Sequence, residues 1–281
     1  MKSARILILT LLAMIAFASN SLLCRLALKQ TGIDAASFTF IRIFSGAAAL
    51  WLIMKLRRAT WKEEGSWSSA LALFIYAAAF SFASLDLSAG TGALLLFGAV
   101  QATMILWGFG KGERLDAIQM VGLIFAVTGL VVLMFPSLSA PPLIGSILML
   151  GAGVAWGIYS LRGKGEKNPV SVTAGNFVRA VPFAAAACII SVPWIHVDPA
   201  GVSYAMISGA IPSGLGYVIW YSALPGLKAA SAATVQLSVP VLAATGGILL
   251  LGEPLTLRYL LASIAILGGI ALVVLERNRT L

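Results

Sequence analysis

The chain has 281 residues, of which 60% are hydrophobic and 10% are charged, and its mean hydropathy is +0.98. A soluble domain of this length cannot hide so much apolar surface, because even a large core leaves much of a chain facing water. Lipid must therefore surround most of the protein, and a backbone in lipid closes its hydrogen bonds within helices or a closed barrel. The apolar runs are about 17–24 residues long without strict alternation, which predicts helices.

Ten membrane spans are predicted in chain order. They cover residues 5–24, 36–54, 68–86, 90–109, 117–135, 143–161, 171–194, 202–222, 228–251 and 256–275. The third and fourth spans run almost together through SLDLSAGTG, and we divide them between Asp86 and Gly90. Lys2, Arg5 and the apolar stretch after them resemble a secretory signal. Because that stretch continues through Leu23, we expect it to be retained as the first span.

A formal net charge of +9 would suit a nucleic-acid partner, but the positions of the basic residues indicate a membrane topology instead. If both termini are cytoplasmic, 14 of the 19 basic residues lie on that side. They are Lys2, Arg5, Lys55, Arg57, Arg58, Lys62, Lys111, Arg114, Arg162, Lys164, Lys167, Lys228, Arg277 and Arg279. Only Arg25, Lys29 and Arg258 fall opposite, as the positive-inside rule describes. We expect a multi-pass protein of the inner (plasma) membrane with two cytoplasmic termini and no nucleic-acid partner.

The two halves of the chain resemble each other. The matching segments are AFASNS (16–21) with AWGIYS (155–160), FIR (40–42) with FVR (177–179), and GERL (112–115) with GEPL (252–255). We therefore divide the chain into two five-helix units, residues 1–140 and 141–281. An odd number of spans turns the second unit upside down, which predicts an all-α integral membrane protein of ten transmembrane helices in two inverted repeats. Transporters with inverted repeats bind solutes near the midplane and work by alternating access.

A family resemblance is carried by residues 221–275, YSALPGLKAASAATVQLSVPVLAATGGILLLGEPLTLRYLLASIAILGGIALVVL. This run resembles the second repeat of the drug/metabolite transporter superfamily, EamA type, most specifically around Pro240 and Gly252-Glu253. The first half is a looser version that has Val100 and Gln101 where a proline is usual. The aromatic-rich spans look most like the YddG-type exporters of aromatic amino acids and aromatic cations. The resemblance implies ten spans, cytoplasmic termini and efflux.

Polar and aromatic side chains within spans are the candidates for a substrate cavity, because a polar group in lipid is costly unless it faces a partner or water. Spacings of three, four and seven residues bring such side chains to one face of a span. The predicted cavity residues are Phe17, Asn20, Tyr76, Phe80, Gln101, Trp156, Tyr159, Asn176, Tyr217, Trp220 and Gln236. The competing explanations are aromatic packing or interfacial belts and, for the amides, interhelical hydrogen bonds.

Four charged residues in or near the spans need an explanation. Arg42 and Arg179 occupy matching places in the two repeats, and each is a candidate gate residue or contact for a substrate carboxylate. The alternative is that these side chains reach out to lipid headgroups. Glu113 and Glu253 lie in tight turns, where we expect them to cap or pair locally with basic neighbours.

Prolines and glycines predict how the helices bend and approach one another. Pro182, Pro212 and Pro240 all interrupt spans of the second half, which favours kinks there. Gly153 and Gly157 form a small-residue pair suited to close contact between helices.

Several kinds of chemistry are not encoded. No acidic residue lies deep in a span, and the single histidine, His196, falls in a predicted loop. No metal cluster, phosphate-binding loop or activated nucleophile is recognisable. We therefore expect no metal, no cofactor, no enzymatic activity and no buried carboxylate that relays protons. Cys24 and Cys188 are expected to be a buried pair of free thiols.

The predicted function is export of small organic solutes, with aromatic amino acids as the leading class. Other metabolites or toxic aromatic cations are the alternative cargo. An intramembrane lipid-modifying enzyme and a nontransporting assembly subunit are alternatives of other classes. The partners are the small-molecule substrate and the lipid bilayer, and both a monomer and a homodimer remain open.

Overall fold

The computed structural model describes residues 2–56, 64–87, 89–134, 142–251 and 255–275. In this part of the chain there are twelve α-helices and no strand. The helices are α1 (Lys2–Gln30), α2 (Ala35–Leu56), α3 (Trp67–Asp86), α4 (Ala89–Gly110), α5 (Ala117–Met134), α6 (Leu143–Gly163), α7 (Pro169–Ile190), α8 (Pro199–Ser208), α9 (Gly216–Ala223), α10 (Ala229–Val235), α11 (Ser238–Leu251) and α12 (Leu257–Leu275). A π-helical segment, Gly209–Leu215, joins α8 to α9. Short 3-10 turns cover Val192–Trp194 and Leu224–Gly226.

Many of these helices can cross a membrane. Within the described ranges, eight apolar segments are long enough to span one. They are Ala4–Gln30, Ala35–Leu56, Trp67–Asp86, Thr91–Gly110, Leu143–Gly163, Pro169–Ile190, Pro199–Gly226 and Ala229–Leu249. The apolar helices Ala117–Leu133 and Leu257–Val273 are shorter. The fold is therefore all-helical with multiple apolar segments of membrane-spanning length, and the count of ten crossings stays a prediction.

Local sequence explains where several helices begin and end. The Ser66 hydroxyl accepts a hydrogen bond from the Ser69 amide at the start of α3, and α3 ends at Asp86, inside the turn predicted to divide the third and fourth spans. Asn168 and Asp198 cap α7 and α8 in the same way. Each is followed directly by a proline, whose missing amide donor a helix start does not need.

The second half carries the irregular helices, as its prolines predict. Pro212 lies in the π-helical segment in the middle of the predicted eighth span, residues 202–222. The predicted ninth span, residues 228–251, is interrupted between α10 and α11. Pro240 follows in the first turn of α11, where its missing amide leaves no helical hydrogen bond unmade. Pro182 lies inside α7, which nevertheless continues to Ile190.

Close helix contacts depend on glycine. A Cβ atom at Gly153 of α6 would lie 2.5 Å from the Leu96 carbonyl oxygen of α4, and one at Gly157 would lie 2.9 Å from the Thr103 side chain. The predicted role of this glycine pair in a close helix contact is thus confirmed.

Large polar and aromatic side chains fill the centre of the bundle, while aliphatic side chains face outward. Trp220, Arg42, Tyr159, Tyr217 and Tyr221 are the five largest fully buried side chains in the described part of the protein. Exposed leucine and isoleucine side chains on α1, α6 and α12 form a surface that suits lipid.

Candidate functional site

Two cavities enter the bundle at opposite ends. The first has a volume of about 440 Å³ and is lined by Arg25, Lys29 and Arg258; we call it the cationic cavity. The second, the Asn176 cavity, has a volume of about 400 Å³ and is also lined by Arg162. Helix α3 begins beside the Asn176 cavity and ends beside the cationic cavity, and α4 runs the opposite way between them.

A continuous series of aromatic rings runs between the two cavities. Phe80 lines the cationic cavity and lies 6.0 Å from Tyr76, centroid to centroid. The Tyr76 ring is 4.9 Å from Trp156, which is 5.8 Å from Tyr159. Tyr159 is in turn 5.2 Å from Tyr221, which lines the Asn176 cavity. These rings and those packed against them are called the aromatic layer.

The remaining predicted aromatic residues belong to the same layer. Phe17 meets Trp156 edge-on at 5.1 Å and lies 5.8 Å from both Tyr217 and Trp220. Trp156 and Tyr217 are 4.8 Å apart. All seven aromatic residues in the predicted cavity set therefore form one connected cluster. Their role in binding a substrate stays a prediction, since most of them are buried against one another.

The two predicted glutamines both bond to the α10 segment. Gln236 follows α10, and its Oε1 accepts a hydrogen bond of 2.6 Å from the Trp156 indole, while its Nε2 donates to the Ala232 carbonyl at 3.0 Å. The Nε2 of Gln101 donates to the Ala233 carbonyl at 2.7 Å. The Gln101 Oε1 is buried without a hydrogen-bond partner among the described residues. Gln236 thus fixes the orientation of the central tryptophan.

The two predicted asparagines join distant parts of the chain. The Asn20 Oδ1 accepts a hydrogen bond of 2.6 Å from the Ser208 hydroxyl at the end of α8. The Asn176 Oδ1 accepts one of 2.9 Å from the Ser66 amide before α3. Interhelical bonding, the competing explanation for such amides, accounts for these contacts. Asn176 also lines the cavity named after it, and its Nδ2 has no partner in the described part of the structure.

The matching arginines have different surroundings. Arg42 is only 1% exposed, so it does not reach a headgroup. Its Nε donates to the Ser213 hydroxyl and its Nη2 to the Tyr217 hydroxyl, both at 2.9 Å. Arg179 instead donates through Nη1 to the backbone carbonyls of Glu64 at 3.0 Å and Gly175 at 3.1 Å.

Glu113 makes a contact longer in range than expected. Its Oε2 accepts a hydrogen bond of 2.9 Å from the Ala229 amide at the start of α10, and its Oε1 lies 3.5 Å from Lys164. The carboxylate therefore caps a helix, but not a local one, because α10 lies 116 residues further along the chain. Glu253, the matching residue, lies outside the described residues.

Both cysteines are free thiols, as predicted. Cys24 is buried, but Cys188 is partly exposed, so the prediction that both are buried is wrong for Cys188. Among the residues that the structure describes, no group of three histidine, cysteine or acidic side chains could hold a metal ion.

The basic residues of the cationic cavity were not recognised as cavity residues from the sequence. Arg25, Lys29 and Arg258 were interpreted only as topology signals. Ser21, Arg25 and Lys29 recur at intervals of four, so they share one face of α1, and this spacing could have revealed the cavity wall. Phe177, which packs 5.8 Å from Tyr217, was also missed as a member of the aromatic layer.

Comparisons with known proteins identify relatives. Residues 143–275 match the model of a protein family described as the EamA-like transporter family. The uncharacterized protein PA1977 of Pseudomonas aeruginosa is 56% identical over 279 residues, covering 99% of this chain and 97% of that protein. The threonine/homoserine exporter RhtA of Escherichia coli K12 is 34% identical over 160 residues, covering 54% of this chain and 53% of that protein. A solved crystal structure superposes with a TM-score of 0.82 at 16% identity, covering 98% of this chain and 99% of that one, and shows a shared fold.

Proposed function

Because the chain belongs to the EamA-like transporter family within the drug/metabolite transporters, we propose that it exports aromatic amino acids across the inner membrane. The family and its transporter-named relatives point to a multi-pass membrane transporter of small molecules rather than an enzyme. RhtA is named as an exporter of threonine and homoserine, which supports amino acids as the substrate class. The aromatic layer between two cavities is the observation that favours aromatic side chains.

The proposed architecture is ten transmembrane helices in two inverted repeats, residues 1–140 and 141–281. The helix contacts support it, because exchanging the halves turns the most extensive contacts into other observed ones. Helices α3 and α4 pack against α6, and in the same way α8, α9 and α11 pack against α1. The pairs α2 with α7 and α5 with α12 map onto themselves. This is the contact pattern expected of two equivalent units.

The proposed topology assigns a side of the membrane to each cavity. The positive-inside bias puts Arg25, Lys29 and Arg258 outside, so the cationic cavity opens outward and the Asn176 cavity inward. In alternating access, rocking of one repeat against the other would part the aromatic layer and let a solute pass. A bound aromatic solute can replace ring contacts that the layer loses, because edge-on and offset ring pairs are favourable.

Uptake into sealed proteoliposomes tests this function. Labelled phenylalanine, tyrosine and tryptophan should enter, and the Trp156→Ala variant should be slower by about tenfold, because it removes a ring that contacts four others. Trp51→Ala is the matched control, since Trp51 is exposed on α2, away from the layer. If only threonine and homoserine are taken up, the substrates are amino acids without aromatic side chains, and the proposed aromatic substrate class is wrong. Uptake of an aromatic cation alone would favour the alternative cargo.

A further inference from the structure

Arg42 is the one charged side chain among the buried residues of the described structure. Building on the proposed amino acid export, we propose that its guanidinium binds the carboxylate of the transported solute. The site would then accept zwitterions and anions and reject organic cations. Arg42 is therefore a specificity-determining residue, and the matching Arg179 is not.

Arg42 is held ready for such a contact. Its Nε and Nη2 are bound to Ser213 and Tyr217, and the guanidinium carbon lies 5.5 Å from the centroid of the Tyr76 ring. Its Nη1 is buried without a hydrogen-bond partner in the described part of the protein. A carboxylate approaching Nη1 would gain a charge-assisted hydrogen bond from a donor that is already oriented.

The missing counter-ion indicates that the charge serves a ligand. A buried cation is costly unless it is paired, and no aspartate or glutamate is among the buried residues of the described ranges. A neutral glutamine could bridge the Ser213 and Tyr217 hydroxyls without that cost. A fixed positive charge interacts most strongly with a negative group, and the carboxylate of an amino acid supplies one.

Arg42 does not itself line the cationic cavity but lies behind it, next to a ring that packs on the cavity wall. Cys24 and Phe80 line that cavity, and the Phe80 ring packs on Tyr76, the ring that faces Arg42. Lys29 and Arg258 are among the residues that line the cavity itself. Positive charge in a cavity wall attracts anionic groups and repels cations. The cavity next to Arg42 therefore favours the same solutes as Arg42 itself.

Arg179 does not meet these conditions. Its Nη1 is shared between the Glu64 and Gly175 carbonyls, and it fastens the segment before α3 to α7. The Asn176 cavity beside this segment also holds the acidic Glu166. The two arginines therefore occupy matching positions in the two repeats but have different partners, and of the two only Arg42 has a buried donor left without a partner among the described residues.

Binding in detergent separates carboxylate recognition from transport. The probes are phenylalanine and phenylalanine amide at about pH 6, where the amino group of the amide is protonated and the molecule is a cation. The wild-type protein should bind the acid at least about tenfold more tightly than the amide. Arg42→Gln should bring the two affinities within about twofold by weakening the acid, whereas Arg42→Lys should keep part of the preference. Arg5→Gln, at the exposed start of α1, is the matched control.

Each result decides the matter. Equal affinity of the wild-type protein for acid and amide, no binding of the acid, or a preference that survives in folded Arg42→Gln would overturn carboxylate recognition. If Arg42→Gln does not fold, the wild-type comparison and Arg42→Lys still decide. If the protein prefers phenylalanine over its amide but proteoliposomes take up no amino acid, the proposed export is contradicted while carboxylate recognition by Arg42 is retained. Repeating the pair with threonine and its amide separates carboxylate recognition from the preference for rings.

Discussion

Asp34 ties together two loops that lie far apart in the sequence. Its Oδ1 accepts hydrogen bonds from the Ala36 and Ser37 amides, which caps α2, and its Oδ2 accepts one of 3.0 Å from the His196 amide. Partial burial alone would raise the pKa of this carboxyl, but hydrogen bonds from Ser37, His196 and Ala36 outweigh it and lower the pKa. The charged form therefore stabilises the folded protein above the ordinary aspartate pKa, and that stabilisation is lost as the pH falls through the lower folded value.

The Asp34→Asn variant should lower the melting temperature at pH 7 by about 2–4 °C. Asparagine still caps a helix, but it turns an amide donor toward the His196 amide, which is also a donor. The difference from the wild-type protein should begin to shrink below about pH 4, where the aspartate of the unfolded chain becomes protonated, and it should disappear below the lower pKa of the folded protein. Melting of both proteins in detergent across this pH range checks the prediction. Asp198→Asn is the control because Asp198 caps α8 through the Gly201 amide. An Asp34→Asn effect that is equal at all pH values would contradict the linkage.

At the scale of single residues, the sequence predicted which side chains share one face of a helix better than it predicted which side chains of different helices are in contact. The seven aromatic residues lie together because each occupies the inward face of its own span. The partners of Arg42 could not be predicted in the same way. Ser213 lies in the π-helical segment, 171 residues away, and a π-helical turn rotates every side chain after it relative to a regular helix.

At the scale of helices, hydropathy predicted where apolar segments lie but not where they are interrupted. The π-helical segment forms where α8 crosses α2 so closely that a Cβ atom at Gly209 would overlap the Arg42 carbonyl oxygen and the Ser45 hydroxyl. The interruption between α10 and α11 is accompanied by the side-chain hydrogen bonds of Gln236. Both features depend on neighbours distant in sequence, which a hydropathy pattern does not contain.

The contact between α4 and α6 gives a matched pair of variants. Gly153→Ala should lower the melting temperature by several degrees, because the new methyl group would overlap the α4 backbone at Leu96. Gly151→Ala should be neutral or slightly stabilising, since a Cβ atom at Gly151 meets nothing within 4 Å and alanine favours a helix. Thermal unfolding of the two variants in the same detergent measures the difference. Equal melting temperatures would contradict the close packing of α4 on α6.

Glu113 holds the start of α10 to the turn after α4. Removing the carboxylate in Glu113→Ala leaves the Ala229 amide without its acceptor and should cost about 1–2 kcal/mol of folding free energy. Lys164→Ala removes only the partly exposed ion pair with the same carboxylate and should cost less than about 1 kcal/mol. Chemical unfolding of both variants measures the two losses. A larger loss for Lys164→Ala would mean that the ion pair, and not the helix cap, fastens α10.

At the scale of the whole molecule, the two cavities and the aromatic layer imply a barrier with a different access route on each side. The Ser84 side chain lines the cationic cavity and is half-buried, while Glu166 lines the Asn176 cavity and is exposed. The proposed topology therefore assigns these two positions to opposite sides of the membrane. Both residues lie within the described ranges.

Cysteine labelling tests this assignment in a variant that lacks Cys24 and Cys188. An impermeant maleimide should label Ser84→Cys in intact cells and Glu166→Cys only in inverted vesicles, because the aromatic layer blocks passage between the cavities. A saturating transported solute should slow labelling of Ser84→Cys, since alternating access then draws part of the population away from the outward-open state. Labelling of both cysteines from the same side would be incompatible with two cavities entering from opposite faces, and so with repeats inverted across the membrane.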